Sequence, residues 1–279
     1  QKIAEIAEQI KASGKKVILI SGPSSSGKTT FAYKLRLHLK VLGRHAYPVS
    51  LDDYYIEKCD MPKNQEGKPD YEALESIDYK RFNENIADLT AGRETSLPGY
   101  DFTKSAVIKD SKRLKLEKHE MIIVEGIHGL NPKIAENIGD NLKYKIYCTP
   151  LMVLNDNDGK RIPSRSTRII RRLVRDTYFR NTSYTETFDL WGNQEIGSQK
   201  NVFPYTDSAD VLFNSSLLYE YSVYKKHLLS IFKDARGDNK YITNINALRD
   251  LVNCFSEIDD DDVPKISLVR EFIGGSTLY

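Results

Sequence analysis

Charge of one sign is the first thing this sequence lacks. Lys and Arg number 41 against 39 Asp and Glu, a formal charge of +2 over 279 residues. A protein that coats nucleic acid carries a strong basic excess, so this balance argues against nucleic acid as the main partner. Any electropositive site must be local. Long apolar runs are missing too: none approaches the ~18–20 residues needed to cross a bilayer. The opening QKIAEIAEQIKASGKK reads as an amphipathic helix with Ile3, Ile6 and Ile10 on one face, not as a signal segment. Cysteine is scarce. Cys59, Cys148 and Cys254 are odd in number, far apart and in no CxxC pair, which speaks for idle thiols in a cytoplasmic protein and against disulfide or metal roles. No repeat, low-complexity tract or linker appears. What is present is 40% apolar and 29% charged residues, the balance of a soluble globular protein with a proper core.

Short apolar runs alternate with helical patterns. Residues 16–21, 45–50, 121–126, 144–149 and 209–214 read as buried strands. Helical spacing runs near 28–42, 72–91, 163–180, 183–195, 217–233 and 245–256. This alternation predicts an α/β fold, a parallel sheet with helices on both faces. Residues 97–119 break the rhythm and read as a β-hairpin standing off the sheet. The expectation is one compact domain with a core over about 15–235, the hairpin over about 97–119, and the acidic run 257–262 as a solvated loop.

The stretch SGPSSSGKTT follows directly on KKVILI. Gly22, Gly27, Lys28 and Thr29 fill every fixed position of G-x-x-x-x-G-K-[ST]. A short match arises by chance, but here an apolar strand precedes it. A helix with Phe31, Leu35, Leu39 and Leu42 at helical spacing follows. Glycines let successive N–H groups converge on phosphate oxygens, and the helix N-terminus adds partial positive charge. Lys28 reaches the β- and γ-phosphates and the Thr29 hydroxyl is placed for Mg²⁺. Gly22, Ser24, Ser25, Ser26, Gly27, Lys28, Thr29 and Thr30 are therefore the expected ATP-binding residues.

The loop does not name the reaction. HAYPVSLDDYY ends a strand with Asp52 and Asp53, and strand C-termini of a parallel sheet open onto the ligand crevice. A carboxylate there takes the proton of an attacking hydroxyl or holds the metal; the bland alternative is a turn cap. MIIVEGIHG repeats the logic with Glu125, an oxygen ligand suited to Mg²⁺, often through water. His128 reads first as a structural histidine. Residues 160–180 carry eight basic residues and one acid, Asp176. Arg161, Arg165, Arg168, Arg172 and Arg175 fall on one helical stripe. A solvated face, a nucleic-acid helix and a lid over the phosphates compete, with the lid favoured.

Six blocks, GPSSSGKTTFAYKL, SLDDYY, YDF, VEGIHGLN, RIIRRLVRD and ADVLFNSS, occur in an order that resembles the uridine kinase and phosphoribulokinase family over roughly residues 15–235. The resemblance implies a P-loop kinase of the nucleoside monophosphate kinase-like type, ATP-dependent, with a hydroxyl acceptor. By position, Asp52 matches the family's general base and Glu125 its Mg²⁺-linked acid. Tyr55 and Tyr100 match aromatics bordering the nucleoside, and Arg172, Arg175 and Arg180 match lid arginines. Similarity to bacterial uridine kinase-like proteins, in the C-terminal VREFIGGSTLY as well, implies a native chain with an upstream domain similar to part of threonyl-tRNA synthetase.

Two departures bear on the acceptor. Uridine kinases have a histidine just beyond Tyr-Asp-Phe where Lys104 and Ser105 stand here, and a lid-helix glutamine where Leu190 or Trp191 stands. Uridine or cytidine is the leading expected acceptor, with ribulose phosphate or a pantothenate-like alcohol second. A nucleotide-dependent, RNA-associated regulator is the rival of another class. No membrane partner is expected, and a homo-oligomer is left open.

Overall fold

The computed structural model describes residues 1–101 and 104–278. Phe102 of the Tyr-Asp-Phe triplet and the terminal Tyr279 lie outside the described residues. Among the described residues seven strands form: β1 (Val17–Ser21), β2 (Ala46–Ser50), β3 (Thr95–Asp101), β4 (Ala106–Leu114), β5 (Met121–Glu125), β6 (Lys143–Thr149) and β7 (Val211–Asn214). Five of them make one sheet in the order β2-β5-β1-β6-β7, with β1 parallel to β5 and β6, and β2 parallel to β5. β3 and β4 pair antiparallel as a separate hairpin, with a register shift between Leu97 and Gly99.

The chain divides into two compact units. The first comprises Gln1–Pro23, Phe31–Cys148 and Glu195–Phe213. It contains the sheet, whose strands read as unbroken apolar runs because both faces are covered. Val17, Leu19, Ile122 and Val124 point to one layer with Phe82, Ile86 and Leu89 of α3 (Tyr79–Thr90). Ile18, Ile20, Ile123 and Ile146 point to the other. There they meet Ile6 and Ile10 of α1 (Lys2–Ser13) and Phe31, Leu35 and Leu39 of α2 (Lys28–Val41). Each fully buried Leu, Ile or Phe contributes about 1.5–3 kcal/mol, so this two-sided burial dictates the parallel sheet.

The second unit comprises Ser24–Thr30, Thr149–Gln194 and Asn214–Tyr279. Its core joins Ile170, Leu173 and Val174 of α4 (Ser164–Phe179) to Tyr221, Tyr224 and Leu228 of α6 (Glu220–Ile231). Ile245 and Val252 of α7 (Ile242–Asn253) and Phe272 of α8 (Arg270–Ile273) complete it. α5 (Tyr184–Asn201) supplies Phe188 and Trp191.

One element differs from its sequence pattern. Helical spacing runs from residue 72, but α3 begins only at Tyr79, where the Asp78 side chain accepts from Arg81 N. Residues upstream spend their backbone groups elsewhere: Ile56 N donates to Ser76 O and Asp78 N to Tyr54 O. Cys59, Cys148 and Cys254 are thiols outside any disulfide, and no helix of the described residues is long and apolar enough to cross a membrane.

Candidate active site

The glycine-rich loop leaves β1 at Ser21 and enters α2 at Lys28. Ser25 and Gly27 both adopt left-handed backbone, at φ 60° and 86°. Such residues curl a chain so that successive N–H groups face one hollow, an anion-binding nest. At Gly27 an added Cβ would also come within 2.7 Å of Leu268 Cδ1.

Within the second unit the loop's carbonyls are held by side chains. Arg168 Nε donates to Ser24 O at 3.0 Å and Arg171 Nη1 to Ser25 O at 3.3 Å. Ser215 Oγ donates to Ser26 O at 2.5 Å. Arg171 is fully buried and forms a 2.8 Å ion pair with the equally buried Glu220, which offsets the desolvation that would otherwise forbid a charge there. Arg172 Nη1 donates to Ser24 Oγ at 3.0 Å. Carbonyl capture from behind fits a loop whose N–H side serves a ligand. Thr30, fully buried, donates its N–H and its hydroxyl to Glu271.

Asp176 collects the arginines of α4. Only 2% exposed, it pairs with Arg172 at 3.0 Å, Arg175 at 3.0 Å and Arg180 at 3.7 Å. The three arginines that sequence placed together are therefore brought together, by an acid that the same stretch contains. Arg168 lies over the Trp191 ring, 5.1 Å from its centroid. Arg161 instead donates to Met152 O. The stripe thus splits into loop-holding, acid-bound and remote members.

In the first unit, β2 ends at Ser50 and β5 at Glu125, and the two residues are in register. Ser50 Oγ donates to Glu125 Oε1 at 3.1 Å and accepts from Asp52 N at 3.3 Å. Ser50, and not an aspartate, caps the short 3₁₀ turn Leu51–Tyr54. On its other side Glu125 is in register with Ile20 of β1. The turn after it packs against that strand: a Cβ on Gly129 would lie 2.6 Å from Ile20 O, so only glycine fits.

Asp52 follows this junction. Neighbouring Asp53 lines a cavity of about 260 Å³ with Tyr55, Glu57, Asp78, Arg81 and Lys109. Burial raises the Asp53 pKa, Lys112 opposes the rise and Asp52 adds to it.

Tyr55 and Tyr100 are brought together, their rings 5.5 Å apart and edge-on. Tyr71 joins them 5.5 Å from Tyr55, whose hydroxyl donates to Tyr71 O at 2.9 Å. Burial pushes the Tyr55 phenol well up, and the nearby carboxylates of Asp52 and Glu72 add to the effect. Tyr100 is pushed up to about 12, first by burial and then by Tyr71. Asp52, Glu72 and three tyrosines thus share one neighbourhood, with the Tyr55 and Tyr100 phenols neutral at physiological pH.

Tyr71 and Glu72 were not among the residues the sequence singled out. The available signal was Pro69-Asp70, a turn pair, and Asp70 does accept from Glu72 N at 3.0 Å. Glu72 is boxed in: Asn201 Nδ2 donates to its carbonyl at 2.7 Å, and a Cβ on Gly197 would strike its Cβ at 2.4 Å.

His128 is fully buried, and among the described residues neither ring nitrogen meets a partner in hydrogen-bonding geometry. Burial pushes its pKa down to about 4, with the backbone of Ala73 and Glu72 pulling weakly the other way. It is a neutral imidazole under the Glu72 segment, in keeping with a structural part.

Of the residues that the family resemblance sets at base-reading positions, Lys104 is exposed and pairs with Asp101 at 3.8 Å. Leu190 is exposed, whereas Trp191 is buried.

Comparison with known proteins identifies a family and a fold. The profile of the phosphoribulokinase / uridine kinase family matches residues 17–218. The uridine kinase of Ureaplasma urealyticum serovar 10 is 26% identical over 233 residues, 82% of this chain and 97% of its own length. That of Macrococcus caseolyticus is 30% identical over 176 residues, 63% of this chain and 75% of its own. Among solved structures, one described as a "Possible Uridine Kinase" from Bacillus stearothermophilus covers 76% of this chain and 97% of its own, with a TM-score of 0.50 and 21% identity. YFH7 from Saccharomyces cerevisiae covers 77% of this chain and 99% of its own, with a TM-score of 0.54 and 10% identity. With a P-loop, two acid-bearing strand ends and a family profile over most of its length, the chain belongs to the phosphoribulokinase / uridine kinase family of ATP-dependent phosphotransferases.

Proposed function

We propose that this chain transfers the γ-phosphoryl group of ATP to a hydroxyl of a nucleoside, uridine or cytidine first. The observation that carries the reading is the neighbourhood of Asp52, Glu72, Tyr55, Tyr71 and Tyr100. It combines a carboxylate base at a strand end with a carboxylate that can accept from sugar hydroxyls and flat rings for an aromatic base.

The roles follow from the chemistry. The loop N–H groups and Lys28 hold the phosphates. Asp52 accepts the proton of the attacking hydroxyl. Arg172, Arg175 and Arg180 face the charge that spreads over the transferring group. Thr29 and Glu125 are the residues that would hold Mg²⁺. They fit it as hard oxygen donors, and among the described residues no group of three His, Cys, Asp or Glu could cage a metal alone. That suits an ion bound by one or two protein groups plus substrate phosphates. When bound, it would neutralise phosphate charge.

A second acceptor class is favoured by Lys104 and Ser105, which replace a base-reading group. A small sugar or pantothenate-like alcohol needs no base contact. The RNA-associated reading loses support because Arg168, Arg171 and Arg172 are buried. The reading carries a cytoplasmic setting with it.

ADP release from Mg²⁺-ATP against uridine, cytidine, ribulose 5-phosphate and pantothenate tests this. Release with uridine or cytidine is expected. Release only with the latter two would replace the acceptor, and none with any of the four would remove the reading.

A further inference from the structure

Thr30 is the third residue of α2, and its backbone N–H is one of those at a helix start that have no intrahelical acceptor. In a P-loop these N–H groups cradle the α- and β-phosphates. Here that donor is engaged. Thr30 N donates to Glu271 Oε2 at 3.0 Å, and the Thr30 hydroxyl donates to the same oxygen at 2.6 Å. One anionic oxygen receiving an N–H and an O–H at a helix N-terminus is the arrangement a phosphate oxygen would adopt.

The carboxylate is held there by a fixed scaffold. Val269 and Phe272, on either side of it in the chain, are fully buried. Arg270 donates to the carbonyl of Val263 at 2.7 Å, to that of Gly274 at 3.3 Å, and also to that of Asp260. The Arg171 guanidinium lies 5.3 Å over the Phe272 ring, and Leu268 sits against Gly27. With the backbone of α8 anchored this way, the Glu271 side chain is the part that can turn away from Thr30.

We propose that Glu271 is a tethered competitor for nucleotide phosphate. Its carboxylate occupies the Thr30 donors in place of a phosphate oxygen, and a nucleoside di- or triphosphate engages the loop fully only when that side chain turns away. Two anions cannot share one donor pair, so nucleotide affinity is lowered by the fraction of time the position is open. The inference rests on the nucleotide-binding part of the function proposed above.

The test is ADP affinity by titration calorimetry, for the wild-type chain and for Glu271→Gln and Glu271→Asp, with melting curves to confirm folding. Gln keeps the shape and an acceptor oxygen but removes the charge. Asp keeps the charge but draws it back by one methylene. Loss of a charge-assisted contact that opposes binding should tighten ADP about tenfold in Glu271→Gln, with a smaller gain in Glu271→Asp. Wild-type or weaker affinity in both variants, with ADP still bound by the wild type, would show a structural cap only and overturn the proposal. Absence of ADP binding by all three would instead remove the nucleotide-binding reading and the proposal with it.

Discussion

The Ser50 hydroxyl donates to Glu125 Oε1 at 3.1 Å, so the ends of β2 and β5 are joined by a side-chain bond as well as by their ladder. The same hydroxyl caps the turn that carries Asp52. One small residue therefore holds Glu125 and the turn that carries Asp52, the two acids of the function proposed above.

Ser50→Ala should lose the cap, about 1 kcal/mol of stability, and release Glu125. The Mg²⁺ concentration that supports half-maximal ADP release should rise several-fold. An unchanged Mg²⁺ requirement, measured alongside a lowered melting temperature, would leave Ser50 with the structural part alone.

Asp52→Asn should lower turnover by ~10²–10⁴ with ATP binding retained, the range for loss of a general base. Lys28→Ala should weaken ATP binding itself. Single-turnover assays on the first and calorimetry on the second separate the two roles. Wild-type turnover in Asp52→Asn would remove it as the base.

Asp176→Asn should be severe on two counts. It leaves the buried Arg172 and the half-buried Arg175 without their acid, and breaking the buried Arg172 pair costs about 3–5 kcal/mol. It also frees the arginines assigned to the transferring phosphoryl group. Urea denaturation should show the first effect, and a fall in kcat larger than the rise in KM the second.

His128 sets a pH dependence whose sign is fixed. Its folded pKa of about 4 lies below the ordinary 6.5, so between those values the unfolded chain holds a proton that the folded chain does not. Stability contributed by the neutral ring is full above 6.5 and falls as pH drops towards 4, by on the order of 3 kcal/mol. Denaturation midpoints at pH 4.5 and 7 should differ more in the wild type than in His128→Phe. An equal difference in both would assign the acid lability to other groups.

Much of this was legible in the chain. The loop is a local motif, and Asp52 and Glu125 follow apolar runs whose ends a parallel sheet places at one edge. Tyr71 and Glu72 were obscured because Leu74 and Ile77 continue a helical spacing into α3, while the backbone there hydrogen-bonds instead to the 54–56 segment. Periodicity put the arginines of α4 on one stripe but could not say that Arg168 and Arg172 on it are buried. Arg171 depends on Glu220, 49 residues on. The contact between Thr30 and Glu271 spans 241 residues and leaves no local trace.

The carbonyls of Ser24, Ser25 and Ser26 are each gripped by a side chain from elsewhere in the second unit. The entropy of ordering the loop is therefore lost when the chain folds, not when a nucleotide arrives. Association then needs no rearrangement of the loop backbone, only the turn of the Glu271 side chain proposed above. Differences in nucleotide affinity among variants of this loop should then appear as changes in residence time.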